Sequence, residues 1–214
     1  MSKWSNIYRQ EITNAGSVES FILHRISYKK KLVKVIRKYT PKKGKILEIG
    51  CGSGSSLAFL GSLEYTVSGI DSDPDMVKIA KEVVGFSKNR VDLRVSDILK
   101  IPHDMGFFDL IFSNGVLEHF SDDKIVKIIN HCLSRSQIMI FSVPTDYFNN
   151  EHRIYGDERF LGVKYWEKIL KNSDAKYLEK FGFCFKNKFI DIIYFLTRGL
   201  LPSKPPFVGF VLKK

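Results

Sequence analysis

The order of apolar and polar positions along the chain predicts an α/β protein. Apolar residues at helical spacing over 17–40 predict one or two helices, which end before Pro41 because a residue preceding proline is disfavoured in a helix. Short apolar runs then alternate with helical patterns, which is typical of a parallel sheet covered by helices on both faces. The predicted strands are 45–49, 65–70, 91–95, 108–113 and 137–143, and the predicted helices are 55–60, 74–84 and 122–133.

The last third of the chain has a weaker pattern. An irregular segment follows Pro144 and extends to about Gly162, and loops of this length tend to carry function. Glycine is frequent where a helix ends, so Gly182 is predicted to end the helix before it. The elements predicted here are helices over 163–171 and 174–181 and a pair of strands over 183–188 and 207–212. We expect one structural domain, with a helical N-terminal cap over 1–44 and the sheet within 45–214.

The most informative motif is residues 46–54, ILEIGCGSG, in which an apolar strand runs into three alternating glycines. Glycine has no Cβ, so the backbone can turn tightly and lie close to a ligand. The next predicted strand is followed by Asp71, 17 residues after Gly54, where a carboxylate can hydrogen-bond a ribose diol. The pattern therefore predicts a Rossmann-like fold that binds a nucleoside-containing cofactor.

Charge around this motif distinguishes between cofactors. Residues 46–77 contain acidic side chains but no Lys or Arg, although the chain has a net charge of +11. A dinucleotide pyrophosphate favours nearby positive charge, whereas acidic surroundings favour a cation. The glycine spacing also departs from the dinucleotide fingerprint. S-adenosylmethionine, which carries a sulfonium and an ammonium, therefore fits better than a dinucleotide.

Four motifs, in order and at matching spacing, resemble those of the class I S-adenosylmethionine-dependent methyltransferases. They are residues 47–54 (LEIGCGSG), 69–74 (GIDSDP), 96–98 (SDI) and 108–119 (FDLIFSNGVLEH). The resemblance covers about residues 30–145. It implies a doubly wound, seven-stranded, mostly parallel sheet with an antiparallel last strand, with S-adenosylmethionine as methyl donor and S-adenosylhomocysteine as product.

The resemblance also implies roles for individual residues. Asp71 would bind both ribose hydroxyls, Glu48 would lie near the methionine ammonium, and Asp97 would accept from the adenine amino group. Turn or cap roles are the alternatives for Asp71 and Asp97. The implied cofactor-binding residues are Glu48, Gly50, Gly52, Gly54, Asp71, Ser72, Asp97, Ile98, Ser113 and Asn114.

The end of strand four bears on the methyl acceptor. Enzymes that methylate exocyclic amines of nucleobases carry Asn or Asp, Pro-Pro and an aromatic residue here, whereas this chain has SNGV at 113–116. Residues 116–120 (VLEHF) instead resemble quinone-biosynthesis O-methyltransferases. We therefore predict a small-molecule acceptor, methylated on a hydroxyl oxygen, with His119 and Glu118 as catalytic residues. A purely structural role is the alternative for His119.

Neighbouring residues bear on metal and substrate binding. Some relatives with a Glu-x-x-Glu-His pattern here bind a divalent metal, but Gly115 stands at the first Glu, so no metal is predicted. A partial site of Glu118, His119 and His152 is the alternative. The predicted substrate-pocket residues are Tyr28, Tyr147, His152, Arg153 and Tyr155.

Charge outside the predicted site leaves alternatives open. Residues 25–45 hold ten Lys or Arg and no acid, which suits either an anionic partner or a solvated surface. An RNA methyltransferase and a non-catalytic cofactor-binding scaffold are therefore the alternatives, and a homodimer is a further option. Three cysteines without metal or redox spacing, and the lack of a signal-like N-terminus, predict a cytoplasmic protein with no transmembrane segment.

Overall fold

The computed structural model describes residues 2–85, 91–153, 156–183 and 204–214. The helices are α1 (Lys3–Asn14), α2 (Val18–Tyr39), α3 (Ser55–Ser62), α4 (Pro74–Val84), α5 (Asp122–Arg135) and α6 (Val163–Leu170). The strands are β1 (Lys45–Ile49), β2 (Thr66–Asp71), β3 (Asp92–Val95), β4 (Phe108–Asn114), β5 (Ser136–Pro144), β6 (Lys176–Phe183) and β7 (Phe207–Lys213). Short 3-10 turns are η1 (Ile98–Lys100), η2 (His103–Met105), η3 (Leu117–His119) and η4 (Asn150–His152).

The strands form one seven-stranded sheet in the order β3-β2-β1-β4-β5-β7-β6. Strand β1 pairs in parallel with β2 and β4, and β2 pairs in parallel with β3. Strand β7 is antiparallel to both β5 and β6. The predicted Rossmann-like α/β fold, with an antiparallel last strand, is confirmed.

The chain divides into two compact units, residues 1–112 and 113–214. In the first unit, β1 is an almost continuous apolar run whose residues from Ile46 to Ile49 are buried, as expected for a strand covered on both faces. In the second unit, Phe141 packs against Trp166 and Phe210, with ring centroids 5.8 and 5.2 Å apart. The predicted division into 1–44 and 45–214 stays a prediction.

Local sequence explains where α4 begins. Pro74 occupies the first turn, where its missing N–H leaves no helical hydrogen bond unmade. Asp73 caps the helix, because its Oδ1 accepts a hydrogen bond from the Asp75 N–H at 2.9 Å. The helix therefore has the bounds that its sequence predicts.

The segment predicted as a helix over 174–181 is instead strand β6, so that prediction is wrong. Gly182 lies within the strand and does not end a helix. In β6, Phe181 pairs with Gly209 of β7, and a Cβ on Gly209 would come within 2.2 Å of Phe181 Cζ. The ring thus covers the glycine, and this cross-strand contact outweighs the local helix propensity of the Lys, Leu and Glu residues.

The strand pair predicted over 183–188 and 207–212 is described only in part. Strand β7 covers Phe207–Lys213, and Phe183, the last residue of β6, pairs with Phe207. Residues 184–188 themselves lie outside the described ranges. Among the described residues, no helix combines the length and apolar character needed to cross a bilayer. The cytoplasmic location stays a prediction.

Candidate functional site

The loop between β1 and α3 has left-handed backbone geometry at its glycines. Gly50, Gly52 and Gly54 have φ values of 64°, 52° and 71°, a region that residues with a Cβ rarely adopt. At Gly54 an added Cβ would also lie 3.1 Å from the Ala80 Cβ, so close packing against α4 requires glycine there. The three glycines predicted to approach a cofactor therefore shape the turn at the carboxyl end of β1.

Asp71, the last residue of β2, is tied to this loop. Its Oδ2 accepts a hydrogen bond from the Gly52 N–H at 2.9 Å, and its Oδ1 accepts one from the Asp73 N–H at 3.0 Å. Burial raises the pKa of Asp71, while these backbone donors oppose the rise. Each carboxylate oxygen has two lone pairs, so Asp71 can hold the loop and still accept hydrogen bonds from a ligand.

Glu48 in β1 is a buried acid with one carboxylate oxygen that lacks a hydrogen-bond partner among the described residues. Its side chain is 3% exposed, and its Oε2 has no hydrogen-bond partner among the described residues. Burial raises the pKa of Glu48 to about 7, although Lys29 and a hydrogen bond from Ser56 oppose the rise. An unpartnered buried carboxylate oxygen is destabilising, and a cationic hydrogen-bond donor would satisfy it. The loop therefore fits a ligand that carries an ammonium group.

Tyr8, which the sequence analysis missed, borders this loop and is bound by Arg25. A Cβ on Gly52 would lie 3.7 Å from the Tyr8 hydroxyl oxygen of α1. Arg25 of α2 donates a hydrogen bond to that oxygen at 3.0 Å and lies 3.3 Å from Glu11. Burial raises the pKa of Tyr8, so its hydroxyl keeps its proton at neutral pH. The sequence around Tyr8 carries no motif, because its place depends on contacts with residues far along the chain.

The other predicted cofactor residues of the first unit are more exposed. Asp97 caps η1, since its Oδ1 accepts a hydrogen bond from the Leu99 N–H at 2.8 Å. Ser72 and Asp97 are exposed and Ile98 is half-buried. Asp97 therefore has the cap role named as its alternative, and its role toward adenine stays a prediction.

Ser113 and Asn114 belong to the second unit, at the end of β4. Ser113 is fully buried, and its hydroxyl has no hydrogen-bond partner among the described residues. The Asn114 Oδ1 accepts a hydrogen bond from the Ser142 hydroxyl at 2.8 Å. Their predicted place beside the amino-acid end of the cofactor is not tested by these contacts.

Glu118 in η3 is the buried acid of the second unit. It is 4% exposed, and its Oε2 has no hydrogen-bond partner in the described part of the chain. Burial raises the pKa of Glu118 to about 8, and the negative charges of Glu158 and Asp157 add to the rise. Glu118 is therefore protonated at neutral pH and offers an O–H donor.

This raised pKa predicts a pH dependence of stability. Between pH 4.5, the ordinary value of the carboxyl, and about pH 8, the native state keeps a proton that the unfolded state loses. The free energy of unfolding therefore falls as pH rises through this range. Glu118→Gln removes that proton exchange. Urea unfolding at pH 5 and at pH 8 gives the decrease in the free energy of unfolding between the two pH values. We expect this decrease to be smaller in Glu118→Gln than in the wild type by about 2–4 kcal/mol.

A matched control for this measurement is Glu151→Gln, which changes an exposed acid of the same unit. Its unfolding free energy should follow the wild-type pH dependence. Glu48 remains in all three proteins, so its own contribution cancels in the comparison. Equal falls in wild type and Glu118→Gln would show that Glu118 titrates normally.

His119, also in η3, is held by a residue that the sequence analysis missed. Its Nδ1–H donates a hydrogen bond to Asp157 Oδ1 at 2.9 Å, and the two side chains are 20% and 60% exposed. The irregular segment after Pro144 was expected to carry function. However, no spacing rule identifies Asp157 within it, because 38 residues separate the pair.

The predicted pocket residues fall into separate groups. Tyr147 and His152 both contact the Phe148 ring, with centroids 5.4 Å apart in each case. Arg153 is exposed and donates a hydrogen bond to the Gly156 carbonyl at 3.2 Å. Tyr28, in the first unit, is 58% exposed and contacts His24. Tyr155 lies outside the described residues.

The predicted absence of a metal ion remains a prediction. The described residues contain no group of three or more His, Cys, Asp or Glu side chains arranged to hold a metal ion. The alternative is a partial metal site of Glu118, His119 and His152. In the structure, His152 Nδ1 contacts the Asn149 side chain and His119 Nδ1 contacts Asp157.

Comparisons with known proteins find a methyltransferase domain in this chain. Residues 46–135 match a family model described as a methyltransferase domain. Over 139 residues the chain is 30% identical to the ubiquinone biosynthesis O-methyltransferase of Pelagibacter ubique, covering 61% of this chain and 57% of that protein. Over 102 residues it is 30% identical to ajmaline N-methyltransferase of Rauvolfia serpentina, covering 45% and 35%. The alignments thus span about half or less of these relatives.

A solved structure agrees with this match at the level of the fold. Magnesium protoporphyrin IX methyltransferase from Synechocystis, with bound S-adenosylhomocysteine, has a TM-score of 0.64 and 15% identity over 91% of this chain and 84% of that one. The same protein with bound S-adenosylmethionine has a TM-score of 0.61, again at 15% identity, over 91% and 81%. The family match shows a methyltransferase domain over residues 46–135, and the sheet order and these solved structures show the fold of the class I S-adenosylmethionine-dependent methyltransferases.

Proposed function

We propose that this protein transfers a methyl group from S-adenosylmethionine to a hydroxyl oxygen of a small-molecule acceptor. The observation that carries the proposal is the buried, unpartnered carboxylate oxygen of Glu48, beside a glycine loop that Asp71 holds. When bound, S-adenosylmethionine supplies a methyl group on a positively charged sulfur. An acidic site lined by Glu48 and Asp71 suits that positive charge.

Residues of the first unit would hold the donor. Asp71 would accept hydrogen bonds from the ribose hydroxyls through its remaining lone pairs. Glu48 would face the ammonium, and Gly50, Gly52 and Gly54 would let the backbone lie close to it. The adenine would lie against Asp97 and Ile98, with Ser72 beside the ribose. The roles of Ser113 and Asn114 toward the methionine end stay predictions of the sequence.

Residues of the second unit would act on the acceptor. His119 would take the hydroxyl proton on Nε2, because its Nδ1–H is already bonded to Asp157. Glu118, protonated below about pH 8, would donate a hydrogen bond that orients the acceptor oxygen. The acceptor would bind against Tyr147, His152 and Arg153 of this unit, as the sequence analysis predicts.

The choice of oxygen is supported by one relative and left open by another. The Pelagibacter protein is named as an O-methyltransferase, and the Rauvolfia protein as an N-methyltransferase. Histidine at position 119 favours oxygen, because a hydroxyl must lose its proton on methylation and a base helps it to do so. An uncharged amine has a free lone pair and needs no base before attack.

A panel of acceptors tests the proposal. Release of S-adenosylhomocysteine would be measured with phenols, catechols and aliphatic alcohols, with matched amines, and with RNA. We expect turnover with hydroxyl compounds and none with the matched amines. Turnover confined to amines would overturn the hydroxyl assignment. Turnover confined to RNA, with strongly salt-dependent binding, would favour an RNA methyltransferase, and cofactor binding without any turnover would favour a scaffold.

A further inference from the structure

We propose that Asp157 is a positioning residue, which fixes the ring orientation and the tautomer of His119. This inference rests on the proposed function only in that His119 acts as the base. Its starting observation is the hydrogen bond from His119 Nδ1–H to Asp157 Oδ1, 2.9 Å long.

The segment that carries Asp157 is fastened to the turn that carries His119. The Arg159 N–H donates a hydrogen bond to the Glu118 carbonyl at 3.0 Å. The Arg159 guanidinium donates to the Phe120 carbonyl and to Asp122 Oδ1, both at 2.6 Å. These contacts lie directly before and after His119 in the chain. Asp157 is therefore held in register with His119 by three bonds that involve neither side chain of the pair.

A second set of contacts shapes the segment itself. Gly156 has a φ of 97°, a conformation that glycine adopts without strain. Its N–H donates a hydrogen bond to Glu158 Oε2 at 2.8 Å, and Glu158 is buried. The backbone on the N-terminal side of Asp157 is thus bent and held locally. The carboxylate of Asp157 is presented from a fixed turn, although it is itself 60% exposed.

Magnitudes favour positioning over stabilisation as the role of this pair. A side-chain pair with one partner so exposed contributes little to folding, about 0–1 kcal/mol even when both groups are charged. The cation nearest in sequence to Asp157 is Arg159, which is already bound to Asp122. The hydrogen bond between His119 and Asp157 adds little stability, yet the contacts of Arg159 and Glu158 hold Asp157 in place for it. Its effect on the orientation and tautomer of the His119 imidazole best explains this arrangement.

The chemical consequence concerns the second ring nitrogen. A neutral imidazole has one N–H and one nitrogen with a free lone pair. An ionised carboxylate can only accept, so the hydrogen lies on Nδ1 and the lone pair lies on Nε2. Without Asp157 the ring could rotate and exchange tautomers. In the presence of Asp157, Nε2 is ready to take a proton from a hydroxyl.

Nitrogen NMR of the protein labelled with ¹⁵N-histidine tests this directly. The chain has five histidines, and the His119 signals would be identified by their loss in His119→Gln. At a pH well above the ordinary histidine pKa of about 6.5, we expect His119 in the wild type to carry its hydrogen on Nδ1. In Asp157→Ala we expect mixed tautomers. In Asp157→Asn, whose amide N–H can donate to Nδ1, we expect the hydrogen of His119 to shift toward Nε2.

Glu151→Ala is the matched control, because it removes an exposed carboxylate of the same segment whose Oε2 accepts from Asn149. Its His119 signals should equal those of the wild type. A wild-type His119 with its hydrogen on Nε2, or unchanged signals in Asp157→Ala, would overturn the proposal. In turnover assays, Asp157→Ala should lower kcat by part of the roughly 10²- to 10⁴-fold that a general base contributes, with KM for the donor unchanged.

The two proposals fail in different ways. If the tautomer depends on Asp157 but His119→Ala keeps full turnover, the base role is wrong and the positioning contact stands. If His119→Ala is inactive but the His119 tautomer is the same in the wild type and in Asp157→Ala, the base role stands and the positioning role is wrong. The NMR measurement needs no acceptor, so it does not depend on finding the substrate.

Discussion

Asp71→Ala is expected to weaken S-adenosylmethionine binding more than tenfold. The substitution removes the acceptor proposed for the ribose hydroxyls, and a hydrogen bond to a charged group contributes about 1.5–3 kcal/mol. It also removes the two bonds by which the carboxylate holds the Gly52 and Asp73 N–H groups. Since tenfold in affinity is about 1.4 kcal/mol, the loss of the ribose contact alone is enough to reach it.

Calorimetric titration of the donor into wild type and variant measures this effect. Asp73→Ala is the matched control, because it removes the α4 cap on Asp75 but leaves the Asp73 N–H bond to Asp71 in place. We expect it to lower stability by about 1 kcal/mol and to keep wild-type affinity. Donor binding of wild-type strength in Asp71→Ala would exclude the ribose role. An equal loss in both variants would mean that affinity follows loop stability.

His119→Ala is expected to lower turnover by roughly 10²- to 10⁴-fold, the usual contribution of a general base. The donor affinity should stay within about twofold, because no part of the ring is assigned to the donor. Steady-state kinetics with an active hydroxyl acceptor, together with calorimetry of the donor, separates the two effects. His103→Ala, which changes an exposed histidine in η2, should leave both quantities unchanged.

The outcomes for His119 are distinct. Unchanged turnover would show that His119 is not the base. Turnover and donor affinity that fall together would show that the side chain acts through the fold. Only a fall in turnover with intact donor binding supports the proposed chemistry.

The sequence predicts best those helices and strands whose first and last residues are set by nearby residue types, such as glycine, proline and capping residues. Strand β1 is a buried apolar run that stops at a glycine, and α4 starts at Pro74 behind the Asp73 cap. The glycine loop and Asp71 are predictable for the same reason, since their roles depend on residue type and short spacing. In these cases the local preference and the final structure agree.

Sequence reasoning failed where distant contacts decide. Strand β6 contains Lys, Leu and Glu residues with good helix propensity, but its pairing with β7, where Phe181 covers Gly209, makes it a strand. Tyr8 reaches the glycine loop from α1, where Arg25 of α2 binds its hydroxyl, and Asp157 reaches His119 across 38 residues. No periodicity or spacing rule predicts such pairs, because they depend on how separate segments of the chain pack together.

The most direct test of the central claim is calorimetric titration of S-adenosylmethionine and S-adenosylhomocysteine into the purified protein, with NAD as control. The acidic glycine loop, with Glu48 buried and Asp71 bonded to Gly52, predicts micromolar binding of both sulfur compounds and none of NAD. Binding of NAD, or no binding of either sulfur compound, would contradict it.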